Sequence, residues 1–315
     1  MNPHIPFLSI VLTTAAIAAD GKEHFTDPAD AGPDFAVQGE YAAEGLGAQV
    51  IALGGGNFHI VGWLHGLPGT ADNVEKKEEV SAKREGDKVV FNQNGWTGEI
   101  VGGKLTGTKE GKTSVLQKTE RKSPTLGAKP PAGAVVLFDG TNADAWKNGK
   151  VDKGGNLSMG VLSNQEFGDF TLHMEFRTPF MPAARGQGRG NSGVYLQNRF
   201  EVQVLDSFAL KGENNECGGI YSKHRPRLNM CFPPLTWQTY DIDFTAARWD
   251  ADGKRTAKAR LTVRHNGVLV HENAEVDGAT TAAGRKDGPG PGPIQLQNHG
   301  CPVAYRNIWL VEKKQ

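Results

Sequence analysis

Residues 191–207 read NSGVYLQNRFEVQVLDS, and their alternation decides how the chain folds. Read as one long β-strand, Val194, Leu196, Phe200, Val202 and Val204 point one way, while Tyr195, Gln197, Arg199, Glu201 and Gln203 point the other. The first set is a core face. The second carries an aromatic ring, two amides, a guanidinium and a carboxylate in file, with none of the lysines that usually solubilise an exposed strand. Such a flat polar face with a stacking ring suits a network of sugar hydroxyls.

The same period-2 pattern recurs elsewhere. In TLHMEFR, Leu172, Met174 and Phe176 oppose His173, Glu175 and Arg177; in WQTYDIDF, Tyr240, Ile242 and Phe244 oppose Thr239, Asp241 and Asp243. In PIQLQNHG, Ile294 and Leu296 oppose Gln295, Gln297 and His299. If these strands share one sheet, their polar files form a single wall holding Glu175, Tyr195, Gln197, Arg199, Glu201, Gln203, Gln295, Gln297 and His299. Hairpin turns such as Asn266-Gly267, and strands at short spacing from residue 134 onward, predict an all-β sandwich.

Upstream, short apolar runs from about Phe35 to Arg121 alternate with turn signals, Asn94-Gly95 among them, and predict a small N-terminal β domain spanning 20–121. Its role is not legible in its residues. KSPTLGAKPPAGA, within 122–134, is rich in Pro and Gly and reads as a semi-rigid linker at 122–133, followed by the sandwich at 134–315. At 315 residues both domains can bury sizeable cores. Thirty-five basic residues balance thirty-five acidic ones, so no overall field attracts nucleic acid or anionic membrane. The opening apolar run, ending in Ala16-Ile-Ala18, reads as a signal peptide over 1–19 and predicts a periplasmic or secreted protein with no membrane span. Cys217 and Cys231 flank one loop and could pair, leaving Cys301 free; spacing alone leaves this open. No spacing resembles a structural zinc site.

Several residues could carry chemistry. A bulge in VLDS would bring Asp206 to the face of Glu201 and pair two carboxylates, as glycosidic cleavage requires; alternatively Asp206 begins an Asx turn at the strand end. The irregular segment 212–234 could lean Lys223 over the sheet, where it would polarise an oxygen, or leave it as a surface lysine. Trp237 either stacks on a sugar or packs in the core. Gly188–Gly193 matches G-x-G-x-x-G but precedes a strand, not a helix, and so reads as a loop.

VLFDGTNADAWKNG, DFTLHMEFR, GNSGVYLQNRFEVQVLDS, CGGIYSKH, PPLTWQTYDIDF and IQLQNHGCPVAYRNIWL, six motifs in order across about 134–313, together resemble the 3-keto-disaccharide hydrolase family. The resemblance implies a concanavalin A-like jelly-roll sandwich acting on glucosides already oxidised to a ketone at C3. It also implies a base at C2, a donor or cation at the C3 oxygen and an acid at the leaving oxygen. Glu201 and His299 are the candidates for proton transfer, with Asp206 as a third member. Arg199, Lys223 or a divalent cation would sit at the oxyanion, and Gln203, Gln295, Gln297 and Tyr195 at hydroxyls. Glucanase relatives use Glu-x-Asp-x-x-Glu where this chain has Glu201, Gln203 and Asp206, which argues against their retaining mechanism. Two other readings stand beside this one: a non-catalytic glycan-binding sandwich and an endo-β-glucanase.

Overall fold

The computed structural model describes residues 23–314; the expected signal segment, 1–19, lies outside the described residues. A short helix, α1 (Gly32–Val37), leads into eight antiparallel strands: β1 (Gly39–Ala43), β2 (Leu46–Gly54), β3 (Asn57–Leu64), β4 (Glu75–Glu85), β5 (Lys88–Gln93), β6 (Trp96–Val101), β7 (Lys104–Lys109) and β8 (Lys112–Thr119). Pairing of β1 with β8 closes them into a barrel, which leaves no edge strand exposed. Asn94 and Gly95 both adopt positive φ at the β5–β6 hairpin, the conformation a two-residue I′ turn needs.

Fourteen strands follow: β9 (Val135–Phe138), β10 (Trp146–Lys147), β11 (Leu157–Ser158), β12 (Val161–Phe167), β13 (Phe170–Arg177), β14 (Ser192–Leu196), β15 (Phe200–Val204), β16 (Gln238–Thr245), β17 (Arg248–Trp249), β18 (Arg255–Ala257), β19 (Ala259–His265), β20 (Val268–Val276), β21 (Gly292–Leu296) and β22 (Ala304–Glu312). One sheet runs β10-β12-β21-β14-β15, and the other β11-β22-β13-β16-β19-β20, with β9 on β22. Their inner faces meet in one core that joins Val194, Leu196, Phe200, Val202 and Ile294 of the first sheet to Leu172, Met174, Phe176, Ile242 and Leu310 of the second. The all-β sandwich expected from the alternation is therefore the observed fold.

Two expectations change, and one open question is answered. Residues 191–207 do not form one strand: β14 and β15 are the arms of a hairpin whose turn, Gln197-Asn198, has φ of 54° and 55°. No glycine marks this turn. It is held from outside, with Gln197 Nε2 donating to the carbonyl of Phe167 at 2.9 Å and Gly284 N donating to Asn198 Oδ1. Because the turn inserts an odd number of residues between Leu196 and Phe200, the two arms keep the apolar and polar faces read from the sequence.

The second change concerns the linker. It straps the outer face of the larger sheet: Ser123 Oγ meets Thr239 Oγ1 at 2.6 Å, Thr125 Oγ1 donates to Asp241 at 2.7 Å, and Gly127 N donates to Glu175 Oε1 at 2.6 Å. The open question is cysteine pairing. Cys217 and Cys231 lie side by side as buried free thiols, and Cys301 is likewise free.

Barrel and sandwich are packed together. Phe180 and Leu235 of the sandwich join the barrel's apolar cluster, Phe35 of α1 lies edge-on to Phe180, and Arg189 donates to the carbonyl of Ala52. No helix among the described residues is long and apolar enough to cross a membrane.

Candidate active site

The smaller sheet brings the polar file together. On its outer face Tyr195 lies directly opposite Gln295 on one side and Glu201 on the other. Beyond Glu201 the segment 218–221 continues the sheet through a bridge between Val202 and Ile220, with Tyr221 N donating to the Glu201 carbonyl at 3.1 Å. Gln295, Tyr195, Glu201 and Tyr221 therefore form one row across four chain segments. The next row is Gln297, Gly193 and Gln203, since Gln297 N donates to the Gly193 carbonyl and Gly193 pairs with Gln203.

Gly193 is a requirement of this geometry. A Cβ there would collide with Glu201 Oε1, so the missing side chain is the space the carboxylate fills.

Glu201 is 2% exposed, and its carboxyl accepts one side-chain hydrogen bond, from Tyr195 Oη at 2.7 Å. Burial raises its pKa to about 7, with the tyrosine hydroxyl pulling only part of the way back. Burial and the neighbouring carboxylate push Tyr195 far above its ordinary value, so it stays a phenol and a donor. Gln297 Nε2 in turn donates to Tyr195 Oη at 3.2 Å. Three amide oxygens on or beside this face, Gln203 Oε1, Gln295 Oε1 and Asn191 Oδ1, are buried with no donor. Buried acceptors of this kind are rarely left unpaired, and a ligand rich in hydroxyls would satisfy them.

Other candidates sit elsewhere. Glu175 belongs to the larger sheet, not this wall. It is fixed there by the linker's Gly127 N–H, by Asn307 Nδ2 at 2.9 Å and by Arg306 Nε at 2.6 Å. Burial would raise its pKa, but His173, Asn307, Gly127 and Arg306 outweigh it and hold the carboxyl at about 2. Asp206 does not pair with Glu201. Beyond Val204 the chain leaves the regular strand; Arg189 Nε donates to Asp206 Oδ2 at 2.7 Å, and Phe208 N approaches Asp206 Oδ1 in the Asx manner.

Arg199 and Gln197 serve the hairpin. Arg199 donates to the carbonyls of Lys286, Pro289 and Gly290 and to Gln197 Oε1, clamping the loop before β21. Lys223 is exposed and donates to the Asp277 carbonyl at 2.9 Å, and His299 stands exposed on the turn after β21, joined to Glu201 by no hydrogen bond or ion pair. Trp237 lies near the barrel, with the Arg306 guanidinium 3.9 Å from its ring centroid. Among the described residues no three His, Cys, Asp or Glu side chains gather as a metal cage.

Sequence reasoning missed Tyr221, Asn191 and Gln187, whose Oε1 receives a hydrogen bond from Gln203 Nε2 at 3.0 Å. Only Tyr221 left a signal, as the polar neighbour of buried Ile220 in CGGIYSKH.

A crystal structure from Parabacteroides distasonis, named as a glycosyl hydrolase, is 34% identical over 58% of this chain and 85% of its own, with a TM-score of 0.53. A second from the same organism, similarly named, is 17% identical over 58% of this chain and 95% of its own, with a TM-score of 0.43. No curated protein matches. The model of the 3-keto-alpha-glucoside-1,2-lyase-like domain matches residues 133–311, which take in both sheets and the whole row from Gln295 to Tyr221, and the chain belongs to that carbohydrate-active family.

Proposed function

We propose that the outer face of the smaller sheet cleaves 3-keto-glycosides, with Glu201 as the base that removes the C2 proton. The observation that carries this is a carboxyl group 2% exposed, bonded to a phenol and surrounded by amide oxygens lacking donors, a setting whose burial raises its pKa to about 7. An ordinary glucoside offers a carboxylate no acidic C–H, whereas a ketone at C3 makes the C2 proton removable by a base of this strength. Glu201 takes that proton and the electron pair forms the C2–C3 enolate. The enolate re-forms the ketone as the C1–O bond breaks, and the leaving oxygen takes a proton from water. The product is a C1–C2 unsaturated 3-ketosugar, to which water then adds at C1.

Tyr195 remains protonated throughout and holds Glu201 in place. Gln203, Gln295 and Gln297 are placed to orient hydroxyls. The family membership and the glycosyl hydrolase name of the 34%-identical structure support a carbohydrate substrate. A two-carboxylate glucanase mechanism is disfavoured, because Asp206 is occupied by Arg189 and lies in no pair with Glu201.

The test is product analysis by NMR with 3-keto-glucosides in heavy water. Deuterium at C2 of recovered substrate or product supports elimination. Turnover without it points to direct displacement at C1, and binding without turnover points to a lectin.

A further inference from the structure

The barrel holds a cavity that the sandwich chemistry does not use. An eight-stranded barrel is just wide enough for its inward side chains to fill it or to leave room for one small ligand. Here its two ends differ. At the end bearing the β2–β3 turn, inward Tyr41, Val50, Phe58 and Val89 are fully buried, and α1 with Phe35 and Phe180 covers them. Toward the end bearing the β1–β2, β5–β6 and β7–β8 turns, cavity-lining positions include Gly62, Gly107, Ala48 and Ser114, which leave a space of about 130 Å³ walled by Ile60, Phe91, Trp96, Leu105 and Leu116. An apolar cavity of roughly 150 Å³ is dry and takes a benzene-sized ligand.

Neither glycine is required by a positive φ; Gly107 lies in a regular strand, and Gly62 borders the register shift between β3 and β4. A Cβ on Gly107 would make ordinary contact with the Trp96 ring at 3.5 Å and Phe91 at 3.6 Å, and one on Gly62 would meet only Glu78 atoms, at 3.8 and 3.9 Å. At both glycines an added methyl group would meet only ordinary contacts, so the missing side chains leave open space.

The mouth is polar. Lys109 Nζ pairs with Glu78 Oε1 at 2.7 Å and stands 5.6 Å from the centroid of Trp96. The buried Trp96 Nε1 stands near the Glu78 carboxylate but reaches no acceptor with hydrogen-bonding geometry. A donor without an acceptor and a carboxylate beside an aromatic-lined pocket match one ligand chemistry: a flat ring carrying a hydroxyl that gives a proton to the carboxylate and accepts from the indole.

We propose that the barrel is a binding module for monocyclic phenols, with the ring among Phe91, Trp96 and Leu105 and the hydroxyl at Glu78, Lys109 and Trp96. This site is independent of the reaction proposed for the sandwich, and its test reads binding alone. Titration of the intact protein with 4-fluorophenol, followed by ¹⁹F NMR, is expected to saturate with a Kd of about 1 mM or tighter. Gly107→Val should weaken it at least about tenfold by filling the cavity while the thermal midpoint holds or rises. Gly62→Val serves as an independent filling variant should Gly107→Val fail to fold. Fluorobenzene should bind several-fold more weakly than 4-fluorophenol, and Glu78→Gln should narrow that gap. The proposal is overturned by absence of saturable binding, by binding that survives both fillings, or by equal affinity for the two probes.

Discussion

Glu201 and Glu175 are the same residue type, each on the outer face of a sheet and each buried to within 2%, yet one carboxyl titrates at about 7 and the other at about 2. The difference lies in what the rest of the chain places on each face. Over the larger sheet the linker and β22 deliver an N–H, an amide and a guanidinium, and beneath it His173 is held by Asp241 at 2.6 Å and stacked on Trp309. Burial lowers the His173 pKa, but Asp241 and Glu175 outweigh it and leave the ring easier to protonate than usual. Over the smaller sheet no cation among the described residues reaches Glu201, and its neighbours keep oxygens without partners there. A satisfied carboxylate anchors structure, while an unsatisfied one is poised for chemistry.

The largest break in this comparison should come from Glu201→Gln. It is expected to lower kcat on a 3-keto-disaccharide by about 10²- to 10⁴-fold, the scale of a lost general base, with the fold intact by circular dichroism. Glu175→Gln should leave kcat of the folded protein within about twofold. Gly193→Ala comes next: the backbone tolerates alanine, but the new Cβ displaces the Glu201 carboxylate, and a loss of roughly 10²-fold in kcat is expected from misplacement of the base.

Stability separates the two carboxylates by sign. The folded pKa of Glu201 is raised, so its contribution is complete below about pH 4.5 and is lost as pH rises through about 7, a difference of about 3 kcal/mol. Glu201→Gln should therefore be more stable than the parent at pH 8 and much closer to it at pH 4.5 in urea melts. The folded pKa of Glu175 is depressed, so its contribution is present above about pH 4.5 and is lost as pH falls through about 2. Glu175→Gln should cost about 2 kcal/mol at neutral pH.

Among the variants of the polar row, the smallest effect on rate is expected from Tyr195→Phe. The tyrosine hydroxyl lowers the Glu201 pKa, so its removal should move the acidic limb of the kcat–pH profile upward by less than about one pH unit, with a rate loss of about tenfold or less. An unshifted limb would mean that another group sets the profile.

Much of this was legible in the chain. The apolar face of Val194, Leu196, Phe200, Val202 and Val204 and the polar placement of Tyr195, Glu201 and Gln203 are observed, while Gln197 and Arg199 belong to the turn; the hairpins at Asn94-Gly95 and Asn266-Gly267 both form with positive φ. The Gln197-Asn198 turn was hidden because Asn198 is its one local signal and the rest of its support comes from distant groups, the Phe167 carbonyl and the Gly284 N–H. Of the two readings of Asp206, the Asx turn at the strand end is the one observed, and the pairing with Glu201 fails because Asp206 is taken by Arg189, which lies 17 residues earlier with no local pattern to announce it.

The sequence by itself determined which way each side chain points, because the pleat alternates every residue and needs no knowledge of the neighbours. Only the tertiary structure decided that Gln295, Tyr195, Glu201 and Tyr221 share a sheet while Glu175 belongs to another, and which carboxylate receives a cation. Strand partnership is a long-range choice: β21 lies nearly a hundred residues from β14 in the chain yet pairs with it, and the energetics of a buried charge depend on what that choice brings within reach.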